Sequence, residues 1–277
     1  MKLRIKFKKY GPVRFIGHLD VMRFYQKALR RAGIDVTYTT GFSPHQIMSF
    51  AAPLGVGLTS NGEYMDIQVN SLPQPEAGTA LLVKRLNDAS VSGLDVISAR
   101  ILPEDAGNAM ASVAAASYTV RFREGREPAF VSAQPQSTNA LDTTAKHMQK
   151  ALTAFLAKDK IIISKETKHG VREVNLRPGI YELTWKEGAF SMLVDASSAG
   201  NIKPSLVIGA LVEDCGETLQ ENALLITRED VFTDLGEGGN HRFVSLGDIG
   251  FTKLPAPRHV DDISEDQLQA ALAGGVL

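Results

Sequence analysis

Cys215 is the only cysteine among 277 residues, so no internal disulfide, cysteine-based zinc site or cysteine-ligated iron–sulfur cluster can form within this chain. No run of 18 apolar residues occurs, which leaves no candidate for a membrane-spanning helix, and the basic N-terminus lacks the apolar stretch of a signal peptide. A cytoplasmic location without membrane association is the expectation. The glycine patterns of P-loop and dinucleotide-binding enzymes are missing, as are the serine-hydrolase elbow and the paired histidines of a zincin helix. Acidic side chains are scarce where cations are dense: residues 1–60 hold ten Lys or Arg against Asp20 and Asp35 alone, although the whole chain carries a net charge of only −1. A local field of that sign draws phosphate-bearing or acidic partners.

The cations fall into three groups. In MKLRIKFKKY, Lys2, Arg4, Lys6 and Lys8 alternate with Leu3, Ile5 and Phe7, which on a strand sends cations to one face and apolar side chains to the other. From Leu19 to Ala32 the residues Met22, Tyr25, Leu29 and Ala32 recur at helical spacing, with Gly33 placed to end the helix. Arg23, Lys27, Arg30 and Arg31 lie off that stripe. With no Asp or Glu between Val21 and Ile34, they have no acidic neighbour downstream on the helix and are suited to an incoming anion. The third group is Lys165, Lys168, Arg172 and Arg177 in the hairpin KETKHGVREVNLRPG, with His169-Gly170 at its tip. It is either an ordinary charged hairpin or a basic finger reaching for phosphates.

Periodicity predicts strand 2–8, helix 19–32, strand 35–39, strand 63–69, helix 75–89 and strand 94–102. This βαββαβ order is that of ferredoxin-like units, whose helices cover one face of an antiparallel sheet and leave the other open. The order repeats after an Ala- and Gly-rich linker, 104–117, as strand 118–123, helix 143–158, strands near 161–167, 180–186 and 189–195, helix 204–215 and strand 223–229. The fold class expected is therefore α+β, with two tandem ferredoxin-like units over 1–103 and 118–232. Residues 233–277 form an extension, loose over 235–262 and closed by a short helix from Ser264.

Candidate chemistry resides in two loops. His18 and Asp20 lie in GHLD at a strand-to-helix junction, and His45 lies in GFSPHQ, where Gly41 and Pro44 direct the backbone. Residues two apart on a helix do not face each other, so Asp20 fits a first-turn acid better than a partner for His18. The two histidines are expected within about 10 Å of each other beside Arg23, framing a small anion pocket. General acid and base work, hydrogen bonding to phosphate or base edges, and plain structural roles stay open for His18 and His45. Two histidines and one carboxylate without ligand spacing indicate no metal, and no cofactor is indicated.

The stretch from Phe15 to Ile67 carries a resemblance. GHLD, then Arg23, ALRRAG, GF-x-PH, SF, PLG-VG and EYMDI follow in the order of the radical SAM-linked protein family, a bacterial domain encoded beside or fused to a cobalamin-binding-type radical SAM protein. The motif positions are Gly17, His18, Asp20, Gly41, Phe42, Pro44, His45, Ser49 and Phe50. Gln46 stands where that family usually has proline, and Ile47 where a basic residue is common. The resemblance is strong over residues 1–69 and weaker across KHGVREVNLRPGIYEL. It implies a radical SAM protein as partner, and the cluster chemistry must reside in that partner because this chain lacks the cysteines. The favoured expectation is a non-catalytic module that binds RNA or recruits substrate for RNA modification. The alternatives are a metal-independent endoribonuclease using His18 and His45, or a protein-docking module that binds no RNA.

Overall fold

In the computed structural model, residues 1–132, 140–167 and 170–253 are described. The first half runs β1 (Lys2–Lys9), α1 (His18–Arg31), β2 (Met48–Phe50), β3 (Thr59–Gln68), α2 (Ala80–Asp88) and β4 (Val96–Ile101). The second runs β5 (Ala115–Phe122), α3 (Ala129–Ser132), α4 (Ala140–Leu156), β6 (Ile162–Thr167), β7 (Gly170–Asn175), β8 (Ile180–Lys186), β9 (Ala189–Asp195), α5 (Pro204–Asp214), β10 (Leu224–Asp234) and β11 (Phe243–Ser245). The architecture is mixed α+β around one large, mostly antiparallel sheet. Its strand order is β4-β1-β3-β10-β5-β9-β8, with β2 added on β3 and β11 on β10, while β6 and β7 form a separate hairpin. Among the described residues no helix is long and apolar enough to cross a membrane.

The alternation in β1 does what period two requires of its apolar members. Leu3, Ile5 and Phe7 are fully buried, packed with Val21, Tyr25 and Leu29 of α1 and Leu82 and Leu86 of α2. Burying a side chain of that size contributes roughly 1.5–3 kcal/mol. The Tyr25 hydroxyl, which would be costly to bury bare, donates to Leu94 O at 3.1 Å. Helix α1 ends at Gly33, whose φ of +63° is cheap only for glycine, and Ile34 N–H closes the turn by donating to Leu29 O. A second core gathers Val120, Phe122, Met148, Leu152, Phe155, Phe190, Val207 and Leu211 between the other side of the sheet seam and helices α4 and α5.

The two halves are joined edge to edge. The start of β3 runs parallel to β10, with Thr59 opposite Thr227 and Ser60 opposite Arg228. Gly62 lies at the closest approach: a Cβ there would sit 2.7 Å from Glu229 O and 2.9 Å from Asp230 Cα. A buried ion pair crosses the same seam, Arg228 of β10 on Glu63 of β3, and Arg228 also donates to Ala52 O.

Several expectations change. The cationic face of β1 is not open, because residues 104–113 and 243–252 lie over it. Lys2 Nζ donates to Ala106 O at 2.8 Å, Arg4 makes paired bonds to Asp66 at 2.8 and 3.0 Å, and Lys6 meets Asp230 at 3.0 Å. The supposed linker is thus packed: Ala109 is fully buried, its N–H donates to Asp66 Oδ2 at 2.7 Å, and β5 already begins at Ala115. The extension is no loose tail over its described part. Ser245 and Tyr64 both bond Asp230, Phe251 pairs with Ile101, and Thr79 N–H donates to Thr252 O, so 243–252 straps across the first half. The helix expected from Ser264 falls outside the described residues. Finally, the strand expected at 35–39 reduces to bridges Val36–Val69 and Tyr38–Gln46, and the sheet strand proper is β2 at 48–50.

Candidate nucleic-acid interface

The basic face of α1 is exposed as its sequence implies. Val21, Tyr25, Ala28 and Leu29 turn inward, which leaves Arg23, Lys27, Arg30 and Arg31 exposed. Arg23, Lys27 and Arg30 follow one another at spacings of four and three, and so form a stripe. Arg23 has only a loose pairing to Asp20, 3.5 Å away with both side chains more than 60% exposed, and a pair of that kind holds little energy. Arg31 turns aside to donate to Ala89 O at 2.8 Å, so it borders the stripe rather than extending it.

Beside the stripe stands a hairpin tip. Tyr38 and Gln46 pair across it, and the intervening turn contains Gly41 at φ +117°, a conformation that side chains disfavour. The turn projects Phe42 wholly into solvent, and Tyr38 is 46% exposed. His45 is exposed as well; its N–H donates to Thr39 Oγ1 at 3.1 Å, and its Nδ1 lies at 3.1 Å from the same oxygen. Gln46, 6% exposed, fastens this tip to the helix: its Nε2 donates to Gln26 O at 3.2 Å and to the Tyr38 hydroxyl at 3.3 Å. Gln26 lies between Arg23 and Lys27, and its carbonyl also accepts from Arg30 Nε at 3.3 Å. Two exposed aromatic rings and a histidine thereby stand next to three exposed cations. Sequence reasoning found the cations, His45 and the turn but missed Tyr38 and Gln46. Tyr38 fits the strand expected at 35–39, and nothing local marks Gln46 as a tether.

His18 sits elsewhere. It is the first residue of α1, half-buried, with its ring edge-on to Phe50 at 4.9 Å. Phe7, Lys9, Phe50, Pro53 and Glu63 close around it, leaving a cavity of about 10 Å³, roughly the space of one water. Burial lowers the His18 pKa, with nearby Lys9 acting in the same direction and Glu63 opposing, and burial likewise lowers that of Lys9. The His45 loop docks at Gln26, about 12 Å along α1 from His18. His18 packs against Phe50 whereas His45 meets Thr39, so each ring has its own neighbours. Asp20 is a first-turn acid at N3, and Ser49 and Phe50 belong to β2, Phe50 as core.

Because folding lowers the His18 pKa, the unfolded chain binds more protons below the ordinary histidine value, and stability is lost as pH falls from about 6.5 through the folded value. A pH series of denaturant melts is expected to show this loss, and His18→Gln to flatten it. Equal slopes in both proteins would contradict the assignment.

The remaining cations divide. Arg4 is buried and committed to Asp66, and Lys2 and Lys6 are held by partners of this chain, so they do not form the anion-binding face expected of them. Lys8 is half-buried. Arg177 is spent on backbone carbonyls, donating to Leu156 O at 3.0 Å and Ile180 O at 3.2 Å. In the β6–β7 hairpin Lys165 is in register with Arg172, which is exposed, whereas Lys168 and His169 lie outside the described residues. No group of three or more His, Cys, Asp or Glu suited to a metal ion occurs among the described residues.

A family model described as an uncharacterized protein conserved in bacteria (DUF2344) matches residues 2–204. The chain belongs to that family. The DUF2344 match takes in α1, the hairpin tip and β2, runs through β9, and stops at Pro204, the first residue of α5. It therefore extends well beyond the stretch whose motifs stand out by eye, while β10 and its Arg228 lie past its end. No curated protein matches the chain in sequence.

Proposed function

We propose that this protein is a single-stranded RNA-binding module, with α1 and the 38–46 hairpin tip as its interface. The observation that carries this reading is the Gln46 tether, which fixes the tip carrying exposed Tyr38, Phe42 and His45 to α1 at Gln26, within the Arg23–Lys27–Arg30 stripe. Single strands are bound by cations that follow the phosphates together with aromatic rings on which bases stack, and stacking accepts any base. His45 is exposed, and its ring adds a hydrogen-bonding group for a base edge or phosphate.

In this reading the chain is a non-catalytic recruiting module that works in the cytoplasm with a radical SAM protein on RNA modification. The partner is supplied by the motif resemblance over residues 1–69. The ribonuclease alternative would need His18 and His45 to act together, and it is less favoured because His18 is half-buried against Phe50 while the His45 loop docks at Gln26, two turns along α1. We also infer that each half is a ferredoxin-like unit. The support is the strand order, β4-β1-β3-β2 in the first half and β10-β5-β9-β8 in the second, each with two helices in corresponding places.

Ultraviolet crosslinking of the full chain to a single-stranded oligoribonucleotide, followed by peptide mass spectrometry, tests the interface. Adducts are expected on Tyr38, Phe42 or His45. Phe42→Ala is expected to weaken binding by about 1–3 kcal/mol, the usual value of one base stack. Adducts confined to the 162–175 hairpin would move the interface there.

A further inference from the structure

A second place for an anion lies on the seam between the halves, on residues that the interface above does not use. Three threonines stand in one row across three neighbouring strands: Thr59 on β3 is opposite Thr227 on β10, which is opposite Thr119 on β5. They line a cavity of about 230 Å³ whose other walls include Arg14, Gly57 and Arg121. Arg121 is two residues from Thr119 and so rises from the same sheet face, where Nη1 donates to Glu187 O at 3.0 Å and leaves four further N–H groups. Arg14 comes from the turn before α1. Its carbonyl accepts from Gly57 N–H at 2.8 Å, its guanidinium lies 4.7 Å from the Phe15 ring, and its Nε is buried without any hydrogen-bond partner.

A buried unpartnered guanidinium N–H is costly, and the Arg14 that carries it also lines a cavity with a second arginine and no carboxylate among its lining residues. Glu229, the nearest acid along β10, is occupied by Asn61 at 2.7 Å. Hydroxyls that donate, and two forked cations, are the groups that recognise a tetrahedral oxyanion. We propose that this seam cavity binds a phosphate group, as the free ion or as a monoester, with Arg14 and Arg121 supplying the charge and Thr59, Thr119 and Thr227 the hydroxyl contacts. The ligand would bridge both halves, since Arg14 and Thr59 belong to the first and Thr119, Arg121 and Thr227 to the second.

The test is isothermal titration calorimetry on the full chain at low salt, with inorganic phosphate in one arm and a nucleoside 5′-monophosphate in the other. Saturable one-to-one binding is expected in at least one arm. Tighter binding of the monoester identifies an ester ligand, and equal or tighter binding of phosphate identifies the free ion. Arg121→Gln, at an exposed side chain, and Thr227→Val, an isosteric change at a half-buried one, are each expected to weaken binding roughly tenfold, as loss of one charge-assisted contact does. Arg23→Gln with Lys27→Gln is expected to leave it unchanged. Absence of saturable binding in both arms up to about 10 mM, a limit that corresponds to very weak affinity, would overturn the proposal. So would binding that survives Arg121→Gln and Thr227→Val but disappears with the two α1 changes, which would assign the phosphate to the RNA interface instead.

Discussion

Replacing Arg228 by alanine is expected to destabilise this protein by about 3–5 kcal/mol, because the change strands a charged Glu63 in the interior. Both side chains are nearly sealed, 4% and 6% exposed, and Glu63 is reached from Arg228 through both Nε and Nη2. The pair also joins β3 of the first half to β10 of the second, beside the close contact at Gly62. Guanidinium chloride melts would measure the loss. Arg228→Met combined with Glu63→Leu is expected to recover most of it, since a buried ion pair replaced by apolar groups of similar size is often neutral. A change of less than 1 kcal/mol in the single variant would mean that the seam is held chiefly by its strand pairing.

The second large effect concerns binding. Changing Arg23, Lys27 and Arg30 together to glutamine is expected to weaken RNA affinity across unrelated sequences, because phosphate contacts position a chain without reading it. Each lost contact should flatten the slope of log affinity against log salt by about 0.7, hence by about 2 for all three. Stability should stay within about 0.5 kcal/mol of the parent, since the three side chains are exposed and at most loosely paired. An unchanged salt slope would place the phosphate contacts on another surface, with Arg172 of the β6–β7 hairpin the next exposed cation to examine.

Why the two basic elements differ in outcome is a matter of where their partners lie in sequence. The α1 stripe is a local pattern: with no acid between Val21 and Ile34 and a buried face fixed by Tyr25 and Leu29, exposure of Arg23, Lys27 and Arg30 follows from helix geometry alone. In β1 the alternation correctly placed Leu3, Ile5 and Phe7, but it cannot distinguish cations facing water from cations facing carboxylates. Arg4 meets Asp66, 62 residues away, and Lys6 meets Asp230, 224 residues away. No local pattern announces those pairings. The order of helices and strands was readable because strong period-two and helical stretches recur in both halves. The union of the halves into one sheet was not, since β3 and β10 pair over only a few residues whose threonines and serine resemble any strand end.

The hairpin tip falls between these cases. Gly41 and Pro44 mark an unusual loop that contains Phe42 and His45, but no local pattern says whether that loop docks at the start of α1 beside His18. Gln46 directs it to Gln26 instead, two turns further along. That docking anchors the tip, with its exposed Tyr38 and Phe42, within the length of the basic stripe.

Fluorescence anisotropy of a labelled single-stranded oligoribonucleotide, titrated with the unmodified chain over a series of salt concentrations, tests the RNA-binding reading most directly. Saturable binding that weakens steeply and linearly in log salt is expected, with a slope near −0.7 for each phosphate engaged. No measurable affinity even at the lowest salt would contradict it and leave the α1 surface to an acidic protein partner.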